Sequence, residues 1–218
     1  MPPKIALVTG ASRGLGAALA EQLAYRGWHV VAVARTVGGL EDLDDRVKSA
    51  KLPGVGNLTL APMDVANGDA MRHLCRSLHD RWGGLDLWAH TAIHATSLAP
   101  AGSVDLKDLD KSIATNLRAS ADLITLVEPL LLAHQGTALF FDDPGTSQKF
   151  AAAYGATKAA QITLVRNWQA ESAKIGPRVL IATPAPMPTA TRARFYPGED
   201  RSKLADPKVE ASRIIDAL

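Results

Sequence analysis

Tyr154 and Lys158 lie four residues apart in "AAAYGATKAA", an Ala-rich run near the start of a helical stretch, so a phenol and an ammonium share one face. A free phenol titrates near 10 and is a poor acid or base at neutral pH. A neighbouring cation brings it down, about 1.4 kcal/mol of attraction lowering the pKa by one. Such a pair suits proton transfer to or from an oxygen. Just upstream, where a hydroxyl is wanted to hold a substrate oxygen, "FDDPGTS" offers Asp142 and Asp143, followed by Thr146 and Ser147. An ionised carboxylate accepts but cannot donate, and its charge opposes a nearby oxyanion. The two aspartates before Pro144-Gly145 also read as an ordinary turn.

The opening "IALVTGASRGLGAALAEQL" places Gly10, Gly14 and Gly16 between an apolar run and an amphipathic helix marked by Leu15, Ala18, Leu19 and Leu23. Glycines there permit positive φ and let the backbone N–H groups across Ser12, Arg13, Gly14, Leu15 and Gly16 approach a pyrophosphate at a helix N-terminus. Strand, turn and helix stand in the order a dinucleotide site requires. The next apolar run ends in "VAVART", with Arg35 where an acid would accept from the ribose 2′-hydroxyl of NAD. Arg35 and Arg13 supply two planar donor forks, which suit a 2′-phosphate and favour NADP(H) over NAD(H). Asp64, followed by Val65 in "APMDVA", is placed to accept from the adenine amine; its structural alternative is a helix N-cap near Gly68.

These residues need a frame, and the frame is legible. Apolar runs at 5–8, 29–34, 58–61, 85–89, 138–141 and 179–182 alternate with helical periodicities, including Met71, Leu74, Cys75, Leu78, Trp82 and the run from Leu117 to Leu132. That alternation predicts an α/β fold: a single-domain, Rossmann-type, doubly wound parallel sheet over residues 1–218, with helices on both faces and ligands at the strands' carboxyl ends. One helix after the sixth run leaves the usual C-terminal strand missing. From Pro184 to Asp206 four prolines and a glycine interrupt any regular helix, which predicts a flap beside the ligand. Pro129 predicts a bend in its helix.

Composition sets the outer bounds. Of 218 residues 47% are hydrophobic, enough for a sizeable core, and 24 basic against 22 acidic residues, with no long block of one sign, exclude a general polyanion partner. Cys75, the only cysteine, forms no internal disulfide and belongs to a core stripe. The first apolar run is too short for a signal peptide and no run suits a membrane span, so a soluble cytoplasmic protein is expected, with neither membrane nor nucleic acid as partner.

T-G-x-x-x-G-x-G at Thr9–Gly16, Asp64-Val65, Asn116 and Y-x-x-x-K at Tyr154–Lys158 together resemble the short-chain dehydrogenases/reductases of the NADP(H)-preferring type, across essentially the whole chain. The resemblance implies Tyr154 as acid/base, Lys158 lowering its pKa and binding the nicotinamide ribose, Asn116 supporting a relay water, and Thr189 meeting the nicotinamide carboxamide. The implied reaction interconverts a small carbonyl compound and its alcohol. Three departures stand out. The family's serine falls on Phe141 by one count and Asp143 by another; N-N-A-G becomes His90, Thr91, Ala92 and Ile93; and Pro-Gly becomes Pro184-Ala185. They leave a second reading open, a dinucleotide-binding regulatory or scaffold protein with little turnover. The apolar helix at 117–132 and the small residues around Tyr154 suggest a homodimer or homotetramer.

Overall fold

The computed structural model describes residues 3–50 and 52–218. Six strands form one parallel sheet: β1 Ile5–Thr9, β2 His29–Ala34, β3 Leu58–Pro62, β4 Leu87–His90, β5 Thr137–Phe141 and β6 Arg178–Ala182. Their order across the sheet is β3-β2-β1-β4-β5-β6. The order reverses between β1 and β4, which opens a crevice at their carboxyl ends. Thr9 pairs with Val33 on one side and with His90 on the other, so the glycine turn and the segment after β4 leave the sheet together. β6 is the last strand among the described residues, as the sequence predicts.

Among the described residues the α-helices are α1 Gly14–Tyr25, α2 Val37–Ser49, α3 Gly68–Trp82, α4 Leu106–Ser112, α5 Ala119–His134, α6 Ala152–Ser172, α7 Ala190–Phe195 and α8 Pro207–Asp216. β1, β2, β4 and β5 run apolar and are buried on both faces, hence their lack of strict alternation, while the edge strand β3 is only partly buried. On one face Leu7, Val31, Trp88 and Phe140 pack with Cys75 of α3, Leu123 of α5 and Trp168 of α6. On the other, Val8, Val30, Ala32 and Leu139 pack with Leu19 of α1, Leu43 of α2 and Ile214 of α8. Burial pushes the Cys75 thiol up to about 11, as suits a packing residue. Among the described residues no helix is long and apolar enough to cross a membrane.

Two local features differ from a plain alternation of strand and helix. Ile113–Arg118 forms a π turn between α4 and α5, which widens the helix at Asn116. β4 begins at Leu87 and not at Leu85, because the Leu85 N–H bonds to Leu130 O at the end of α5.

Candidate functional site

Tyr154, Lys158 and Gln161 occupy one face of α6 at i, i+4 and i+7, and all three are buried. The Tyr154 hydroxyl donates to Asp143 Oδ2 at 2.9 Å. Asp143 is therefore the side chain that meets the phenol. Its Oδ1 accepts from the Gly145 N–H at 2.9 Å, so the carboxylate also caps the short turn Pro144–Ser147. One residue thus both meets the phenol and shapes the turn. Asp142 points elsewhere, pairing with Arg166 at 3.2 Å, and Phe141 belongs to β5.

This geometry corrects the expected pKa. Burial first, then the charge of Asp143, its hydrogen bond and the charge of Asp142, push Tyr154 upward. A proton shared with a carboxylate is held more tightly, since removing it would place two anions side by side. Lys158 moves the other way, its ammonium pushed down to about 8 by burial against the opposing pull of Asp143 and Asp142.

Lys158 Nζ donates to Gln161 Oε1 at 2.6 Å, and Gln161 Nε2 donates to Ser120 Oγ at 2.7 Å. Ser120 Oγ lies 3.2 Å from His90 Nε2, and His90 Nδ1 lies 2.8 Å from Thr9 Oγ1. A continuous buried chain thus joins the lysine to the end of β1. Burial and the Lys158 charge push His90 down to about 3, so the imidazole is neutral at any ordinary pH. Gln161, Ser120 and His90 are distant in sequence; of the three, sequence reading marks only His90, at the first position of the altered N-N-A-G, while Gln161 and Ser120 carry no short-range motif.

Asn116, fully buried on the π turn, is a clamp. Its Oδ1 accepts from the His94 N–H at 2.7 Å, and its Nδ2 reaches His94 O at 3.0 Å, Ser112 Oγ at 2.9 Å and Thr157 Oγ1 at 3.0 Å. It fixes the segment after β4 to α4 and α6. His94 extends this fixation, its Nε2 lying 2.6 Å from Asp108 Oδ1.

At the other end of the crevice, Gly10 and Gly14 have φ of +89° and +56°. A Cβ on Gly16 would stand 2.3 Å from Gly10 O and from Thr91 Oγ1, so the turn closes only with glycine there. Gly39 makes a similar approach, its Cβ position 2.8 Å from Ser12, which brings α2 against the turn. The N-terminus of α1 has no side-chain cap and no acid in its first turn, which leaves its positive end suited to an anion. Arg13 and Arg35 are exposed beside it. Arg35 Nη1 lies 3.9 Å from Asp64 Oδ2, while Asp64 Oδ1 accepts from Ala66 N–H at 2.9 Å and Val65 is buried. The N-cap of α3 is Asn67, not Asp64. These residues fit a nicotinamide dinucleotide, which on binding would supply the hydride-carrying ring.

The flap joins the two ends. Thr189 caps α7 through Arg192 N–H, and its methyl carbon is 3.2 Å from where a Gly14 Cβ would stand. The Phe195 ring packs on Tyr154 with centroids 5.1 Å apart. Arg194 donates to Ala95 O at 2.7 Å, the Tyr196 hydroxyl donates to Gln148 Oε1, and Arg192 makes a two-pronged pair with Glu199 at 2.6 Å. The flap's arginines and aromatics are therefore tied inward, and Tyr154 is only 3% exposed.

A profile of the short chain dehydrogenase family matches residues 4–200. The chain belongs to this family. The short-chain dehydrogenase is 28% identical over 219 residues to an uncharacterized oxidoreductase of Staphylococcus aureus strain MW2, covering 99% of this chain and 90% of that one. It is 29% identical over 220 residues to another from Staphylococcus saprophyticus, covering 99% and 91%. Among solved structures, a short chain dehydrogenase from Pseudomonas syringae superposes with a TM-score of 0.85 at 26% identity, covering 94% of this chain and 85% of that one. A metagenomic short-chain oxidoreductase solved in complex with NADP shares the fold, with a TM-score of 0.81 at 24% identity over 98% and 89% of the two chains. This short-chain dehydrogenase is accordingly an oxidoreductase of a family that binds a nicotinamide dinucleotide.

Proposed function

We propose that this chain works as one domain, residues 1–218 with a flap at about 184–206, and is an NADP(H)-dependent oxidoreductase that moves hydride to or from a carbon held beside Tyr154. The observation that carries the reading is that one flap reaches both ends of the site: Thr189 lies against the glycine loop at Gly14, and Phe195, six residues on, covers Tyr154. One ligand long enough to run from the loop to the phenol would pass under a single flap.

In this reading Gly10, Ser12, Arg13, Gly14, Leu15 and Gly16 hold the diphosphate against the positive end of α1. Arg13 and Arg35 receive the 2′-phosphate, Asp64 and Val65 flank the adenine, and Lys158 and Thr189 meet the nicotinamide half. Tyr154 holds or moves the proton at the reacting atom, Lys158 sets the local charge, and Asn116 keeps the crevice wall in place. A small carbonyl compound and its alcohol are the substrates the motifs favour. The Tyr154–Asp143 hydrogen bond slows that reaction, because the phenol's proton is held by a carboxylate. The same bond supports the second reading, a dinucleotide-binding regulator with little turnover.

Fluorescence titration with NADPH and NADH, followed by a carbonyl panel with wild type and Tyr154→Phe, tests both. Binding of NADPH with Tyr154-dependent turnover supports the enzyme. Binding without such turnover supports the regulator, and failure to bind either nucleotide sinks both.

A further inference from the structure

The atom that meets a substrate at Tyr154 has an unusual hydrogen-bonding character for hydride transfer to a carbonyl. A phenol owns one hydrogen, and here that hydrogen points at Asp143 Oδ2, 2.9 Å away. What Tyr154 then presents outward is a lone pair. Asp143 adds acceptors only, its Oδ1 already receiving the Gly145 N–H and each oxygen keeping a second lone pair. Nearby donors are partly engaged elsewhere, the Lys158 ammonium keeping two further N–H groups. Lys158 Nζ is 2.6 Å from Gln161 Oε1, the Asn116 amide is bonded to His94, Ser112 and Thr157, and His94 is locked to Asp108.

The charges facing the phenol tell the same story. Asp142 is paired with Arg166, and Arg192 with Glu199, which leaves Asp143 and the buried Lys158 as the local pair. Lys158 stands on the α6 side, turned along its helix toward Gln161, while Asp143 stands at the hydroxyl. A carbonyl oxygen accepts hydrogen bonds and becomes more negative as hydride arrives. At this position it would meet lone pairs and a carboxylate. A protonated imine differs in both respects: its N–H⁺ donates, and its charge is positive before hydride arrives and neutral afterwards.

We propose that the substrate of this site is a carbon–nitrogen double bond, taken as its iminium ion and reduced to an amine. The proposal rests on the hydride-transfer reading above and replaces the carbonyl as its substrate class. The imine nitrogen takes a proton that enters from solvent at the Asp143–Tyr154 pair, whose carboxylate favours the charged form of the substrate as it would favour any adjacent cation. The iminium carbon then accepts hydride from a reduced nicotinamide dinucleotide. The carbon–nitrogen π bond breaks, and its electron pair becomes the nitrogen lone pair. One imine, one proton and one reduced dinucleotide give one amine and one oxidised dinucleotide. Asp143 ends as it began, and the product amine, protonated at neutral pH, remains complementary to it until the flap opens.

The test uses pairs of matched ring size, with the nitrogen in the ring of the imine and the oxygen outside the ring of the ketone: 1-pyrroline against cyclopentanone, and 3,4-dihydroisoquinoline against 1-tetralone, each with NADPH at pH 7. Wild type is expected to reduce the imine of each pair at least tenfold faster than the ketone. Asp143→Asn, which keeps the shape and removes the charge, is expected to lose at least tenfold on the imines, and Asp143→Ser to shift the preference toward the ketones. Binding gives a readout independent of turnover. Calorimetry with pyrrolidinium and cyclopentanol on the NADP⁺-loaded protein should show the ammonium bound at least tenfold more tightly, with the advantage absent in Asp143→Asn. A ketone preference in wild type, no imine turnover, or pyrrolidinium binding unchanged in Asp143→Asn overturns the proposal. Ketone turnover with NADPH that equals or exceeds imine turnover would overturn it while leaving the oxidoreductase reading standing; failure to bind NADPH would overturn the oxidoreductase reading itself.

Discussion

At the glycine loop the backbone is so closely approached that a single added carbon does not fit, whereas at Tyr154 a different functional group has been accommodated with every polar atom still satisfied. Gly16 is pinned by Gly10 O and Thr91 Oγ1, and no other residue type meets that constraint. Asp143 stands where a neutral hydroxyl is expected, yet it bonds both the phenol and the Gly145 N–H without leaving a buried group unpaired among the described residues. Sterics hold one end of the crevice to a fixed pattern. Hydrogen bonding lets the other end drift in chemistry while the fold stays intact, because a short polar side chain can be exchanged for another of similar reach.

The sharpest way to break this contrast is at the phenol. Tyr154→Phe is expected to lower single-turnover oxidation of NADPH by roughly 10²–10⁴-fold while leaving NADPH affinity within about twofold. Equal loss of both would mean that the two ends are not separable. At the loop, Gly16→Ala should cost about 2–3 kcal/mol of stability in urea denaturation, with weaker NADPH binding. An unchanged midpoint would show that the turn has slack.

Lys158 offers a test through pH. Its folded pKa, about 8, lies below the ordinary lysine value of 10.5, so below pH 8 both states carry the proton and the full cost of the buried ammonium is present. Between pH 8 and 10.5 the unfolded chain binds more protons, and stability rises with pH. The difference in unfolding free energy between wild type and Lys158→Met should therefore move in favour of wild type by on the order of 3 kcal/mol across that window. A flat difference would mean that Lys158 is not buried as a cation. A smaller effect is expected from Arg35→Asp, which should weaken NADPH at least tenfold relative to NADH, or about 1.4 kcal/mol. Arg194→Ala should cost only about 1 kcal/mol of flap anchorage, seen as faster hydrogen exchange at 190–196.

The same contrast governs what is legible in the amino-acid order. The six strands and the glycine turn are readable because burial, over both faces in the four inner strands and partial in the two edge strands, writes an apolar run and steric closure writes a glycine. The π turn at Asn116 has no such signature, since Ile113–Arg118 has an ordinary helical composition. α2 has a weak one in Leu40, Leu43 and Val47. Whether Asp142 or Asp143 meets the phenol depends on one residue of rotation after β5, which no local pattern fixes. The burial that leads the upward shift of the Tyr154 pKa is likewise a product of packing and not of any local pattern. The chain from Lys158 through Gln161, Ser120 and His90 to Thr9 draws on four separate elements, and only their packing makes it a chain.

The two ends of the flap are tied to each other and to α8: Ala205 N–H donates to Pro186 O at 2.9 Å, and Ala185 N–H donates to Glu210 Oε1 at 2.8 Å. Its tip is held over Tyr154 by Phe195 and Arg194. A substrate that reached Tyr154 only in molecules whose tip is raised would have an apparent dissociation constant equal to its intrinsic value divided by the raised fraction. If the tip's contacts favour the closed form by about 2.7 kcal/mol, that fraction is near 1% and a micromolar ligand measures as roughly 100 μM. Weak apparent affinity in a first screen would then be a property of the flap's equilibrium, and no indication that the compound is the wrong one.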